Sequence, residues 1–263
     1  MSRPRPALRA VTFDLGDTLW HFPHRPPEAE VAAELTRRLA HLLRAWGLTP
    51  TSPPEEIQQR IADARAEAER TSEAAGGLGP DYLGRVRAEL HRAGLHLADQ
   101  QVTEAWHSQN IGGAFLGRVL FEDTLPTLDW LRGRGLLIAA LTNRSHGGAS
   151  FLEELRAYDL LPRFDAVISS DQVGHRKPHP AIFQRTIEVL GVRADECAHV
   201  GDRLDVDVRG AKAFGMTAIW YRGGTPATAP AGELPDAPDY VIDRLSELLD
   251  LDRLGERETH PLD

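Results

Sequence analysis

From residue 136 onward the chain alternates short apolar runs with amphipathic stretches, and that alternation leaves few folds open. The runs at 136–141, 166–170, 197–201, 217–221 and 240–243 are short and mostly β-branched or aliphatic, so they read as strands. Helical spacing fills the gaps at 150–160, 179–190, 207–214 and 244–251. Strand and helix in alternation predict an α/β fold, a doubly wound, parallel, Rossmann-like sheet with right-handed crossovers. An earlier apolar run at 8–13 supplies its first strand.

Between residue 20 and about 120 the character changes. Segments 28–46 and 55–70 are rich in Ala, Leu, Glu and Arg at helical spacing, further helices are predicted at 80–94 and 99–109, and no strand pattern interrupts them. Two domains follow: a discontinuous α/β core over 1–20 and 121–263, and a helical domain over 21–120 inserted after the first strand. Trp46 and Trp106 are expected to pack helices together. A Pro-, Ala- and Gly-rich loop over 223–238 and a polar tail over 255–263, read as disordered, carry no motif.

Composition argues by exclusion. A formal charge of −9 with no basic stripe disfavours nucleic acid as a partner. No apolar run nears the roughly 18 residues of a membrane span and no signal-peptide pattern opens the chain, so the expectation is a soluble, cytoplasmic protein with no membrane partner. Cys197 is the only cysteine, which excludes a disulfide framework and a zinc ribbon. Of the 30 basic residues only Lys177 and Lys212 are lysine. A compact ammonium in a tight site is not replaceable by a planar guanidinium, so each calls for its own account. Lys212 falls on a helix and reads as a surface residue.

The chemistry gathers at polar strand ends. Asp14 closes the run Ala10-Val11-Thr12-Phe13 and is followed by the small-residue turn Gly16-Asp17-Thr18. A carboxylate at the mouth of a parallel strand lies where open α/β sheets collect ligands, and it can act as nucleophile or metal ligand. Thr142-Asn143 ends another apolar strand, where a hydroxyl and freed backbone N–H groups either hold phosphate oxygens or cap a helix. Lys177-Pro178 follows, and then Gly201-Asp202 with Asp207 five residues on. Arg144 and His146 come soon after Asn143 and read as solvated loop residues.

In their order and spacing these four signals resemble the motifs of the haloacid dehalogenase superfamily, largely magnesium-dependent phosphatases and phosphotransferases, and the helical insertion resembles that family's C1-type cap. The resemblance implies that Asp14 is the nucleophile that becomes an aspartyl-phosphate. It implies that Thr142 and Asn143 contact the phosphoryl group, and that Lys177 sets an ammonium against both nucleophile and substrate. It further implies a Mg2+ ion bound by the Asp14 carboxylate, the Gly16 carbonyl and Asp202, with Asp207 at the start of the next helix contributing to the metal site or orienting Lys177. Substrate choice would then reside in the cap, with Trp20, His21, His24 and Arg25 as candidate gate residues.

One departure stands out. Members with phosphatase activity carry a second aspartate two residues after the nucleophile, and here Gly16 occupies that place with Asp17 beside it. The missing group protonates the leaving oxygen and then activates water, a contribution on the order of 10²–10⁴ in rate. In extended backbone, residues i and i+3 face opposite ways, so Asp17 is expected to point away from the site and cap the following segment, unless the glycine lets the loop bend and makes Asp17 the catalytic acid/base in place of the missing group. Three readings stay open. The first is a phosphatase acting on a small phosphorylated metabolite. The second is a dehalogenase or phosphonatase-type enzyme, although dehalogenases place a bulky aromatic where Gly16 stands and need no metal. The third is a catalytically weak protein that binds a phosphorylated ligand or a partner.

Overall fold

The structure, a computed structural model, describes residues 6–223 and 237–253. Most of the loop predicted over 223–238 and the whole of the tail from 255 lie outside the described residues. Two compact units emerge, one comprising 1–21 with 119–263 and the other 22–118.

The first unit is built on β1 (Ala10–Phe13). In the second unit lie α1 (Glu28–Ala45), α2 (Pro54–Ala74), α3 (Tyr82–Arg92) and α4 (Asp99–Ser108), preceded in the chain by β2 (Trp20–His21) and followed by β3 (Val119–Leu120). The chain then runs through α5 (Thr124–Gly133), β4 (Leu137–Thr142), α6 (Ala149–Ala157), β5 (Ala166–Ser169), α7 (Ser170–Val173) and α8 (Pro180–Leu190). β6 (Cys197–Gly201), α9 (Arg209–Phe214), β7 (Thr217–Tyr221), β8 (Tyr240–Ile242) and a 3₁₀ segment, Leu245–Arg253, complete it.

Six strands form one sheet in the order β5-β4-β1-β6-β7-β8, with every pair parallel. Every residue of β1 and β6 is buried, as expected of strands covered by helices on both faces. β1 lies at the centre, with β4 and β5 to one side and β6 to β8 to the other, so the strand order reverses at its flank. Such a reversal opens a crevice at the C-terminal strand ends. Register then fixes what lines it: Phe13 pairs with Ala140 and with Val200, so Asp14 comes level with the polar ends of β4 and β6.

Leu141, Ile168, Ile182, Phe183, Val208 and Ala211 belong to the core on one face of the sheet. Gly210 lets α9 approach α8 closely, because a Cβ there would come within 2.7 Å of the Phe183 ring. The sequence pattern held no strand between residues 20 and 120, but β2 and β3 at its margins pair antiparallel, Trp20 with Leu120 and His21 with Val119. They bring the outgoing and returning chain side by side, so an insertion here leaves the sheet order intact. Trp20, a candidate gate residue, is buried, and His21 stacks on Phe121 at 4.5 Å.

In the second unit, apolar side chains recur at helical spacing: Leu39 and Leu43 on α1, Ile57 and Ile61 on α2, Val86 and Leu90 on α3, Val102 and Trp106 on α4. Trp106 stacks on Tyr82 with ring centroids 4.8 Å apart, and Trp46 packs against the same cluster. Asp81 caps α3 by accepting from the Gly84 N–H at 2.9 Å. His24 and Arg25 are exposed on this unit. Among the described residues no helix is long and apolar enough to cross a membrane.

Candidate active site

Lys177 is the centre of the polar cluster. Its ammonium, 2% exposed at the residue level, donates to Asp14 Oδ1 at 2.6 Å and to the Leu141 carbonyl at 2.6 Å, and lies 2.7 Å from Asp207 Oδ1. Three donors thus meet three acceptors. All three partners meet the ammonium in the buried interior, so its position is tightly specified. Asn143 holds the lysine from behind: its Oδ1 accepts from the Lys177 N–H at 2.7 Å and its Nδ2 donates to the Lys177 carbonyl at 3.0 Å. The Lys177-Pro178 peptide is cis.

Asp207 does not begin a helix. It sits in a wide π-type turn, Leu204–Val208, in which the N–H groups of Asp207 and Val208 both donate to the Arg203 carbonyl, at 2.8 and 3.2 Å. Such turns recur at functional sites because they re-aim a side chain within a helical path. Here the carboxylate lies against Gly201, where a Cβ would come within 2.4 Å of Asp207 Cγ. Asp202 follows directly, its carbonyl accepting from Trp220 Nε1 at 2.9 Å and its Oδ1 from Thr18 Oγ1 at 3.5 Å. Thr142 is buried at the end of β4. Arg144 and His146 are not solvated: the Arg144 guanidinium lies 3.9 Å from the centre of the Phe151 ring and donates to the His146 carbonyl, while His146 is 6% exposed. Lys212, read as a surface residue, bonds Asp239 Oδ1 at 2.8 Å and is partly buried.

Ligand atoms of Asp14, Asp202 and Asp207 lie within 4.8 Å of one another, an all-oxygen set that can hold a divalent metal. Three carboxylates face one ammonium there, and the imbalance shows in their acidities. Burial pushes the Asp14 carboxyl up to about 6, with Lys177 opposing and Asp207 adding to the rise. Asp202 is pushed up to about 8, first by burial and then by the charges of Asp14, Asp207 and Asp17. Burial would raise Asp207 as well, but the Lys177 charge and the hydrogen bonds from His199 and Lys177 hold it below the ordinary carboxylate range. The Lys177 pKa is raised, its two carboxylate partners outweighing the burial that would lower it.

These shifts have a measurable consequence in the metal-free protein. The folded-state values of Asp14 and Asp202 lie above the ordinary 3.8, so the fold binds protons that the unfolded chain has already released. Stability is therefore greatest below pH about 4 from these two groups, and falls as pH rises toward 6 for Asp14 and 8 for Asp202, by up to about 1.4 kcal/mol per unit for each. In EDTA the Tm should drop from pH 5 to pH 8. A divalent ion should restore it at pH 8 and do little at pH 5. A Tm unchanged by pH and by metal would contradict this electrostatic picture.

The turn after Asp14 departs from the extended backbone assumed for Asp17. The Leu15 carbonyl accepts from Leu19 N at 2.9 Å and Trp20 N at 3.2 Å, so the chain coils immediately beyond Asp14. Asp17 takes a left-handed φ of 54°, its N–H donating to the Trp20 carbonyl at 2.7 Å. Glycine adopts such an angle without strain, and aspartate tolerates it better than most residues. Burial raises the Asp17 pKa and His21 partly offsets the rise. Its carboxylate is outside the three-residue cluster, yet its charge reaches Asp202.

Two members of the buried network escaped the sequence reading. Thr12 and His199, polar residues within apolar strands, are 0% and 1% exposed and bonded to each other, Oγ1 to Nδ1, at 2.8 Å. His199 Nε2 in turn lies 3.2 Å from Asp207 Oδ1. The available signal was the presence of two polar side chains in strands whose neighbours are all apolar, since buried polar groups require partners.

The sequence profile of the haloacid dehalogenase-like hydrolases matches residues 8–215. A glyceraldehyde 3-phosphate phosphatase of Methanopyrus kandleri is 30% identical over 249 residues, spanning 94% of this chain and 97% of its own. A ribulose-1,5-bisphosphate 5-phosphatase of Halopiger xanaduensis is 29% identical over 92% of this chain and 98% of its own. Among solved structures, a HAD phosphatase from Thermococcus onnurineus aligns with a TM-score of 0.55 and 27% identity, over 93% of this chain and 97% of its own.

Proposed function

This chain belongs to the haloacid dehalogenase-like hydrolases, and we propose that within that family it is a magnesium-dependent phosphatase acting on a small phosphorylated metabolite. The observation that carries this reading is the buried Lys177 ammonium, 2.6 Å from Asp14 Oδ1 at the sheet's switch point, beside a second and a third carboxylate. The relatives named as phosphatases support it, their printed substrates being small sugar phosphates.

Asp14 attacks phosphorus and forms an aspartyl-phosphate, the P–O bond to the leaving group breaks, and water then attacks the acyl phosphate and returns the carboxylate. Lys177 fixes one Asp14 oxygen and offsets the negative charge that would otherwise repel an anionic substrate. The Thr142 hydroxyl, at the end of β4, holds a phosphoryl oxygen. Asn143 serves the same site chiefly by clamping the Lys177 peptide. Asp14, the Gly16 carbonyl and Asp202 would hold Mg2+, with Asp207 in the same cluster, and the raised pKa values of Asp14 and Asp202 mark the excess charge that a divalent ion would relieve. When bound, the ion neutralises charge developing on the transferring phosphoryl group. Gly16 offers no proton, so substrates whose leaving group departs unaided are favoured.

With Mg2+ present, acyl and aryl phosphates should therefore be hydrolysed faster than sugar phosphates, and a phosphoenzyme should be trapped by rapid acid quench. Halide release from a 2-haloacid in EDTA, with no phosphate released from any phosphate ester, would favour the metal-independent dehalogenase class of chemistry. Binding of Mg2+ and phosphate with no covalent intermediate on any substrate would favour a ligand-binding protein.

A further inference from the structure

Thr12 on β1 and His199 on β6 are register partners, so their side chains stand on the same face of the sheet. There they begin a line of buried polar groups. His199 reaches Asp207 Oδ1 at 3.2 Å, Asp207 Oδ1 lies 2.7 Å from Lys177, and Lys177 reaches Asp14 Oδ1 at 2.6 Å. The line returns to the end of the strand on which it started, at Asp14, the residue that follows β1. Phe183 closes one side, its ring edge-on to the imidazole with centroids 5.7 Å apart.

Proton placement follows from what each atom faces. Thr12 Oγ1 lies 2.8 Å from His199 Nδ1 and 3.2 Å from the Ala198 carbonyl, and its hydroxyl has one proton to give. If that proton went to Ala198, Nδ1 would have to carry hydrogen, and a neutral ring would then turn a lone pair toward the Asp207 carboxylate. Protonating both nitrogens would avoid that clash, but it would set a second buried cation on the one Asp207 oxygen, Oδ1, that the Lys177 ammonium already occupies. The shorter contact is the consistent one: Thr12 donates to Nδ1, and Nε2–H donates to Asp207. The Asp207 carboxylate is then held at both oxygens, Oδ1 by His199 and Lys177, and Oδ2 by the Arg203 N–H at 3.1 Å.

We propose that His199, with its tautomer set by Thr12, is a positioning residue that fixes the Asp207 carboxylate and through it aims the Lys177 ammonium at Asp14. The proposal rests on the phosphatase reading for its catalytic consequence, while the hydrogen-bond line itself does not. Without the Nε2–H donor, Asp207 keeps its charge but loses a point of attachment, and the ammonium loses its preorganised direction. The cost falls on kcat, because Asp207 and His199 are buried and act through Lys177. Outer-sphere partners of this kind are typically worth about 10–100-fold in activity.

The test pairs His199→Leu, which removes the donor, with His199→Gln, whose amide N–H extends to the Nε2 position. In the full chain with Mg2+ and p-nitrophenyl phosphate, the Leu variant should lose about 10–100-fold in kcat with KM little changed, and Gln should recover most of it. Should the Leu variant fail to fold, Thr12→Val and Thr12→Ser carry the same contrast at the other end of the line. Equal impairment of Gln and Leu, or of Val and Ser, would mean shape alone matters and would overturn the proposal. ¹⁵N NMR of histidine-labelled wild type reads the tautomer without substrate: a protonated Nε2 with a bare Nδ1 supports the line, and a protonated Nδ1 at pH 7 overturns it. Wild type with no turnover but the expected tautomer would sink the phosphatase reading and leave the hydrogen-bond line standing.

Discussion

Gly16→Asp is expected to raise turnover by about 10²–10⁴, with the larger gain on substrates that leave poorly. The position can take a Cβ. Gly16 is not among the residues with positive φ, and a Cβ built there meets only Trp20 Nε1, at 4.0 Å. Backbone angle and Cβ therefore leave the fold of the loop undisturbed. A new carboxylate would sit among Asp14, Asp17 and Asp202, and their charges would raise its pKa toward the range in which a carboxylic acid donates a proton near neutrality. Acid assistance matters most when the departing oxygen is basic. The rise for a sugar or glycerol phosphate should therefore exceed that for p-nitrophenyl phosphate, and the ratio of the two kcat/KM values is the readout. An unchanged ratio would mean that proton donation does not limit the native protein, and attention would shift to Asp17, whose left-handed turn brings its charge within reach of Asp202.

The sheet was legible because a parallel strand buried on both faces must be apolar throughout, and its ends are then the places where polarity returns. Cys197–Gly201 and Thr217–Tyr221 start and stop with their apolar runs, and Leu137–Thr142 is offset from its run by a single residue. The helix Thr124–Gly133 was not legible, since Pro126 in its first turn reads as punctuation. Nor was the wide turn at Leu204–Val208, which breaks the helical period that placed Asp207 at a helix start. At the site, strand-end polarity brought Asp14 and Asp202 together, whereas Lys177 lies not at a strand end but in the loop beyond α7, and its being one of only two lysines was what singled it out. What polarity could not reveal was pairing: Thr12 with His199 across 187 positions, or an Asn143 amide spent at both ends on the Lys177 peptide rather than left for a ligand. The face to which Asp17 points depended on whether the chain stays extended past Asp14, and the Leu15 carbonyl ends that extension by gathering the N–H groups of the turn.

Asp14→Asn should separate catalysis from stability by moving them in opposite directions. Asparagine has the shape of the aspartate and can still accept from Lys177, so the packing around it survives, but its amide cannot attack phosphorus. Loss of a covalent nucleophile costs on the order of 10⁴–10⁶ in kcat, and no phosphoenzyme should be trapped. Stability should respond in the other sense. At pH 8 without metal, the wild-type Asp14 charge is buried and repelled by Asp207, and it contributes to holding Asp202 at about 8. Removing one of three crowded carboxylates relieves both, so the variant should melt at a higher temperature than wild type at pH 8 in EDTA. The advantage should shrink toward pH 5, where more of the wild-type carboxyls are protonated, and shrink again at pH 8 once Mg2+ supplies wild type with the missing positive charge. Should activity and Tm fall together at pH 8, Asp14 would be a structural anchor of the strand end and its place as the nucleophile would be lost.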